Sequence, residues 1–182
     1  YATTATLFYK SIDSGANFTQ VGAGLPTSAG RMAIAVTAAD SNIVYALSVT
    51  SGNIFQGIYK STDQGETFTA VNTTQTQIAS IQAYYDMAIT ASPTNANEIY
   101  TGFLNIWKSV NGGVTMTQVN NWSSPSSASY SHADIHFLRF YGNKLYCGSD
   151  GGIYVTTNGG TNFTDLTKSM QIGQPYKIAI SK

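Results

Sequence analysis

The sequence contains one short motif four times at a nearly constant spacing. The copies are YKSIDSGANFTQV from Tyr9, YKSTDQGETFTAV from Tyr59, WKSVNGGVTMTQV from Trp107 and YVTTNGGTNFTDL from Tyr154. Their Ser or Thr positions, 11, 61, 109 and 156, lie 50, 48 and 47 residues apart. A regular period of this length is typical of one four-stranded propeller blade of about 40 to 50 residues, and it is too long for a helical repeat of about 34 residues.

The segments between the motifs have the pattern of short strands separated by turns. Apolar runs at 32–36, 87–89 and 135–138 precede the motifs, and a second run such as 42–47 follows a polar turn. Each period therefore predicts four strands, with the motif between the third and the fourth. The predicted fold class is all-β: a β-propeller of four-stranded antiparallel blades without helices.

The repeat also predicts the division of the chain. Closed propellers have about four to eight blades, so this chain is expected to be an incomplete segment, 1–182, of one propeller in a longer protein. The chain is expected to open on a third strand and to close on a first strand. The predicted units are a partial blade at 1–25, blades at about 31–72, 85–120 and 132–167, and the first strand of a next blade at 175–182.

Each motif has the composition of a tight turn. Asp13 and Asp63, replaced by Asn in the later copies, can accept hydrogen bonds from nearby backbone N–H groups. The glycine two residues later suits a positive φ, and an aromatic residue three positions beyond it is expected to cover the turn. The glycines are Gly15, Gly65, Gly113 and Gly160, and the covering residues are Phe18, Phe68, Met116 and Phe163.

The motif resembles the Asp-box, S-x-D-x-G-x-T-[WF], of sialidases, sortilin-type receptors and xyloglucanase-type glycoside hydrolases. The resemblance extends over essentially the whole chain, and it implies that the Asp-box turns lie on the outer rim and are structural. Sialidases clamp their substrate with three arginines, whereas this chain has only Arg31 and Arg139. Sialidase activity is therefore not expected from this segment.

The composition excludes several classes of partner. Charged residues make up 10% of the chain, and nine basic residues balance nine acidic ones. Such a chain lacks the field that gathers nucleic acid or anionic lipid, and no apolar stretch is long enough to insert into a membrane. The single cysteine, Cys147, is expected to be a small core residue.

Polar residues vary from blade to blade where the innermost strands begin. Arg31, Asp86 and Asp134 occupy equivalent points just before or within these strands, and Tyr176 and Lys177 occupy the corresponding stretch of the last one. Propellers usually bind ligands at this mouth of the central channel. Variation at equivalent positions therefore predicts a ligand site there.

The densest polar cluster is Ser-His-Ala-Asp-Ile-His at 131–136. Because side chains alternate along a strand, His132, Asp134 and His136 are expected to share one face. Three interpretations remain open: a divalent metal site, a ligand or catalytic site, or a hydrogen-bonded ladder that locks neighbouring blades. No cofactor is required by any other feature of the sequence.

A second polar segment, CGSDGGIY from Cys147, places a carboxylate before two glycines in a turn. Together with H-x-D-x-H it looks like propeller repeats of large secreted Bacteroidetes proteins, and it is similar to the D-x-G-G-x-Y segment of xyloglucanase-type hydrolases. That similarity implies a catalytic role for Asp150. Glycoside hydrolysis needs a second carboxylate, about 5 Å away for retention or about 6.5 to 9.5 Å for inversion, and Asp134 or Asp86 are candidates.

Exposed aromatic side chains such as Tyr84 and Tyr85 are candidates for stacking on sugar rings. Trp122 and Tyr130, which flank a serine-rich loop, are the best of these. The leading hypothesis is a non-catalytic extracellular or cell-surface bacterial propeller that binds a glycan or a surface protein at its mouth. The alternative is a xyloglucanase-like glycoside hydrolase acting on β-glucan.

Overall fold

The computed structural model describes residues 1–79 and 81–170. These residues form four antiparallel sheets in chain order, one of three strands and three of four strands, which we call blades 1 to 4. The strands of each blade follow one another along the chain, so every blade is a simple meander. The expected all-β class is confirmed, and the part of the chain that the structure describes contains no α-helix.

The strand bounds follow the 48-residue period. Blade 1 contains β1 (Ala2–Thr3), β2 (Phe8–Lys10) and β3 (Thr19–Val21). Blade 2 contains β4 (Arg31–Val36), β5 (Val44–Val49), β6 (Phe55–Ser61) and β7 (Thr69–Asn72). Blade 3 contains β8 (Ala88–Ala91), β9 (Ile99–Gly102), β10 (Ile106–Ser109) and β11 (Thr117–Gln118). Blade 4 contains β12 (Ile135–Tyr141), β13 (Lys144–Ser149), β14 (Gly152–Thr156) and β15 (Thr164–Asp165). Single 3₁₀ turns occur at Thr76–Ile78 and Thr167–Ser169.

The beginning of the chain differs from the expectation. Blade 1 opens with a short strand before the predicted one, because Ala2 pairs with Tyr9 and Thr3 pairs with Phe8. Two residues are too few for a periodic pattern, so this strand has no signal in the sequence. The predicted first strand of a next blade, 175–182, with Tyr176 and Lys177, lies outside the described residues.

The apolar core lies between successive blades. All six residues of β5 are buried, which is expected of a strand that is covered on both faces. Leu47 and Ile58 of blade 2 belong to one cluster with Ile89 and Ile99 of blade 3. Full burial of such a side chain stabilises the fold by about 1.5 to 3 kcal/mol. Each blade therefore needs its neighbour to cover its apolar face.

Blades 3 and 4 approach closely where a side chain is absent. A Cβ on Gly102 would lie 2.4 Å from the Cγ2 atom of Ile135. The first strands of the blades are also neighbours, because β8 contacts both β4 and β12. The first strands therefore form the inner layer, and the turns between third and fourth strands lie at the opposite, outer edge.

The four outer turns, 11–18, 61–68, 109–116 and 156–163, share one hydrogen-bond pattern, and we call them the box turns. In the second, the hydroxyl of Ser61 donates to Asp63 at 2.7 Å and accepts from the Gly65 N–H at 2.8 Å. Asp63 also accepts from the Thr67 N–H at 2.9 Å. The equivalent bonds of the other three turns measure 2.7 to 3.0 Å. The four glycines have φ between 84° and 92°.

The covering residues of the box turns pack against the preceding blade rather than only on their own turn. Phe68 lies edge-on to Phe8 of blade 1, with ring centroids 5.2 Å apart. Met116 is buried, whereas Phe18, which has no described sheet before it, is half exposed. The backbone joins the same contact, because the N–H of Phe68 donates to Ala23 O at 2.7 Å. The box turns thus connect successive blades.

Candidate functional site

The candidate site lies where the first strands begin and the turns between second and third strands end. Antiparallel pairing brings these two places together at one end of each blade. In blade 4, Ile135 pairs with Ser149, so Asp134 and Asp150 flank the same end of the sheet. The structure therefore brings the predicted polar residues of this blade to one mouth.

Asp150 is held at the mouth by two side chains. The Nε2 atom of His136 lies 2.7 Å from Asp150 Oδ1 and serves as donor, because an ionised carboxylate only accepts. The hydroxyl of Tyr85, from blade 3, reaches the two carboxylate oxygens at 3.1 and 3.0 Å. The Tyr85 ring also meets the His136 ring edge-on, with centroids 4.7 Å apart. The carboxylate is fixed yet still 28% exposed, so it can accept hydrogen bonds from a ligand.

The two glycines after Asp150 serve different purposes. A Cβ on Gly151 would lie 2.3 Å from His132 Cγ, so this glycine leaves room for the imidazole ring. Gly152 has φ 125°, and a Cβ there would overlap Thr167. Thr167 Oγ1 instead accepts a hydrogen bond from the Ile153 N–H at 3.1 Å. His132 and Thr167 therefore shape the turn that presents Asp150.

The predicted common face of His132, Asp134 and His136 is wrong. β12 begins only at Ile135, Asp134 has φ 62°, and the register of β12 shifts between Ile135 and Phe137. Strand alternation is lost, so His132 packs on Gly151 while His136 binds Asp150. Within residues 1–79 and 81–170, no group of three or more His, Cys, Asp or Glu side chains could hold a metal ion. A metal on these three residues stays an untested prediction.

The carboxyl groups of Asp86, which is fully buried, and of Asp134, which is partly buried, lie together between blades 3 and 4. Asp86 is 0% exposed, and neither of its carboxylate oxygens accepts a well-formed hydrogen bond. Asp134 Oδ1 is likewise buried without a donor. Burial, and then the charge of and hydrogen bond with the adjacent Asp134 carboxyl, raise the pKa of Asp86 to about 7, whereas its own backbone N–H and His136 lower it. Asp86 cannot touch a substrate in this conformation.

The remaining predicted residues, Arg31, Tyr130 and Trp122, differ in burial and in the contacts that they make. Arg31 is structural, because its Nη1 donates to the carbonyl of Ala83 at 2.9 Å and so anchors the segment before β8. Tyr130 packs edge-on against Tyr154, with ring centroids 6.1 Å apart, and joins the core of blade 4. Trp122 is 45% exposed, and its backbone N–H donates to Asn105 Oδ1 at 3.1 Å, beside the β9–β10 turn at the mouth. Of these three, only Trp122 offers a free aromatic surface.

Tyr85 is the residue that the site prediction missed. It was recognised only as one of several exposed aromatics, because its partner Asp150 is 65 residues away in the chain. The neighbouring Tyr84 is 69% exposed, and the two rings lie 6.5 Å apart. The available signal was the pair of adjacent tyrosines directly before Asp86 at the mouth. The candidate site therefore consists of Tyr84, Tyr85, His136 and Asp150.

Solved structures of three GH74 enzymes are similar to this chain. A GH74 enzyme of Niastella koreensis is 28% identical over 72% of this chain and 22% of that enzyme, with a TM-score of 0.55. A GH74 xyloglucanase of Xanthomonas campestris is 17% identical over 82% of this chain and 24% of its own, with a TM-score of 0.53. An ancestral GH74 enzyme is 23% identical over 85% of this chain and 20% of its own, with a TM-score of 0.55. No family model and no curated protein matches the chain.

These similarities confirm the β-propeller fold. The two likenesses below 25% identity show the fold alone, and the expected similarity to xyloglucanase-type propellers is confirmed at that level. The chain spans less than a quarter of each of the three enzymes. Within the described residues, no helix is long and apolar enough to cross a membrane.

Proposed function

We propose that this chain is part of an extracellular bacterial propeller that binds a carbohydrate at its mouth without cleaving it. The observation that carries the proposal is the carboxylate of Asp150, which Tyr85 and His136 hold in place at the surface. A fixed carboxylate accepts hydrogen bonds from sugar hydroxyls without losing its own conformational entropy on binding. The exposed ring of Tyr84 supplies an apolar face beside it.

The chemistry of the patch favours a sugar over a surface protein. Sugar rings present apolar C–H faces that stack on aromatic rings, and their hydroxyls bind carboxylates and imidazoles. The chain has no net charge, so a neutral ligand suffers no electrostatic penalty on approach. Trp122, exposed at the mouth of blade 3, extends the aromatic surface along which a glycan chain would lie.

Calorimetric titration with a soluble xyloglucan oligosaccharide tests this proposal. Asp150→Asn removes the charge at constant size, and Tyr84→Ala removes the stacking face; each is expected to weaken binding about tenfold, or about 1.4 kcal/mol. Tyr141→Ala is the matched control, because Tyr141 is also an exposed tyrosine and lies at the other end of β12. Unchanged affinity in both site variants, or equal loss in the control, would refute the site.

A glycoside hydrolase is the second candidate. The 28% identity to a GH74 enzyme and the position of Asp150 favour it. The burial of Asp86 argues against a catalytic pair of Asp150 with Asp86, because a general acid must reach the glycosidic oxygen. Release of reducing sugar from xyloglucan by the chain, abolished in Asp150→Asn, would establish the hydrolase and reject the non-catalytic proposal. Binding without release supports the latter.

A further inference from the structure

The carboxyl groups of Asp86 and Asp134 contain buried oxygen atoms without hydrogen-bond partners, and the carbohydrate site does not explain them. Three oxygen atoms, both of Asp86 and Oδ1 of Asp134, are buried and lack a hydrogen-bond donor among the described residues. Asp86 itself is fully buried and lies against Asp134. A buried carboxylate without compensation costs several kcal/mol. Something other than these side chains must satisfy the oxygens.

A shared proton satisfies only part of this requirement. One proton between the two carboxyl groups uses one oxygen of each, so the second oxygen of Asp86 is left with only its own backbone N–H, a contact without hydrogen-bond geometry. A cation satisfies all three oxygens together, with Asp86 as a two-oxygen ligand and Asp134 as a one-oxygen ligand. Oxygen ligands of this kind suit a hard divalent ion, and Ca²⁺ in particular accepts carboxylates in one- or two-oxygen geometry.

We infer that Asp86 and Asp134 bind a calcium ion between blades 3 and 4. Both residues lie directly before neighbouring first strands, β8 and β12, so the ion would tie two blades together at the inner edge. Backbone carbonyls and water would supply the remaining ligands, as they do in most calcium sites. The site is separate from the carboxylate of Asp150, whose oxygens are engaged by Tyr85 and His136.

Calcium titration of the whole chain, first stripped with a chelator, tests the inference. One Ca²⁺ per chain is expected by calorimetry at pH 7.5, with a rise in the thermal midpoint. Asp86→Asn and Asp134→Asn are each expected to weaken Ca²⁺ binding at least about tenfold. Asp40→Asn, in the turn between β4 and β5 where Asp40 accepts a hydrogen bond from the Asn42 N–H, is the matched control and is expected to bind normally.

A second measurement does not depend on the folding of the variants. Tb³⁺ bound at this pair would be excited through the nearby Tyr85, and Ca²⁺ is expected to displace it and quench its emission. Absence of Ca²⁺ binding to the wild-type chain would overturn the inference and leave a shared proton as the explanation. Binding that survives both Asp86→Asn and Asp134→Asn but is lost in Asp150→Asn would also overturn it, because the ion would then lie in the carbohydrate site.

Discussion

The carboxylates at the outer edge of the blades and the carboxyl group of Asp86 at the inner edge differ in their hydrogen bonding. At the outer edge, Asp63 accepts bonds from Ser61 and from both the backbone and the side chain of Thr67. Asn111 and Asn158 replace aspartate there with the same pattern, so the negative charge is dispensable. At the inner edge, Asp86 is buried without a donor. The carboxylates at the outer edge therefore serve the fold, whereas the carboxyl group of Asp86 makes no such structural hydrogen bond.

The largest effect is expected from Asp86 in a chelator-containing buffer. Folded Asp86 keeps its proton up to a pKa of about 7, whereas the unfolded chain releases it near 3.8, so the folded state binds more protons between these values. Its stabilising contribution is complete below pH 3.8 and is lost as the pH rises through 7. The free energy of unfolding is therefore expected to fall by roughly 3 kcal/mol between pH 5 and pH 8.

Urea unfolding at several pH values measures this effect. The groups that face Asp86 are the Asp134 carboxyl and the His136 imidazole. Asp86→Asn is expected to remove the decline, and Asp40→Asn, in the turn between β4 and β5, is expected to retain it. A wild-type stability that rises from pH 5 to pH 8, or a decline that persists in Asp86→Asn, would show that burial does not raise the pKa of Asp86.

The box-turn glycines allow a matched comparison at the outer edge. Gly15 and Gly113 have φ of 90° and 91°, but a Cβ on Gly113 would lie 2.9 Å from Ile58 Cγ2, whereas Gly15 has open space. Gly15→Ala is expected to cost only the backbone strain of about 1 kcal/mol. Gly113→Ala is expected to cost about 1 to 2 kcal/mol more because it also overpacks the contact between blades. Equal costs in urea unfolding would contradict the inter-blade role of the box turn.

Gln75 tests how the third box turn is joined to its neighbour. Its side chain accepts a hydrogen bond from the Met116 N–H at 2.8 Å and donates one to Met116 O at 3.0 Å. In the second box turn, the equivalent N–H of Phe68 instead donates to the backbone carbonyl of Ala23. Gln75→Ala is expected to destabilise the chain by about 1 to 3 kcal/mol, because it leaves buried backbone groups unpaired. Gln20→Ala, on exposed β3, is the control and should be near neutral in the same unfolding assay.

The smallest effect concerns the charge of the outer carboxylates. Hydrogen bonds from the side chain and backbone of Thr67, and from Ser61, lower the pKa of Asp63 to about 2. A lowered pKa stabilises the fold above the ordinary value of 3.8, and this contribution is lost as the pH falls towards 2. Asp63→Asn is expected to reduce the acid sensitivity of the unfolding midpoint, as is Asp13→Asn. An unchanged acid sensitivity in both variants would show that these hydrogen bonds do not contribute to stability in acid.

Repetition explains which parts of this molecule could be predicted from sequence. The box turns recur four times, so the motif alone predicted the hydrogen bonds of Asp63 and the positive φ of Gly65. The inner site has one copy of each residue and depends on contacts such as that between Tyr85 and Asp150, which are distant in the chain. Asp134 also has a positive φ, so the alternation of side chains along a regular strand does not apply there.

A residue-resolved NMR titration with the xyloglucan oligosaccharide tests the central comparison most directly. The account predicts chemical-shift changes concentrated at Tyr84, Tyr85, His136 and Asp150, with the four box turns unaffected. Changes concentrated at the box turns, or spread evenly over both edges of the blades, would contradict the assignment of binding to the inner edge and of structure to the outer one.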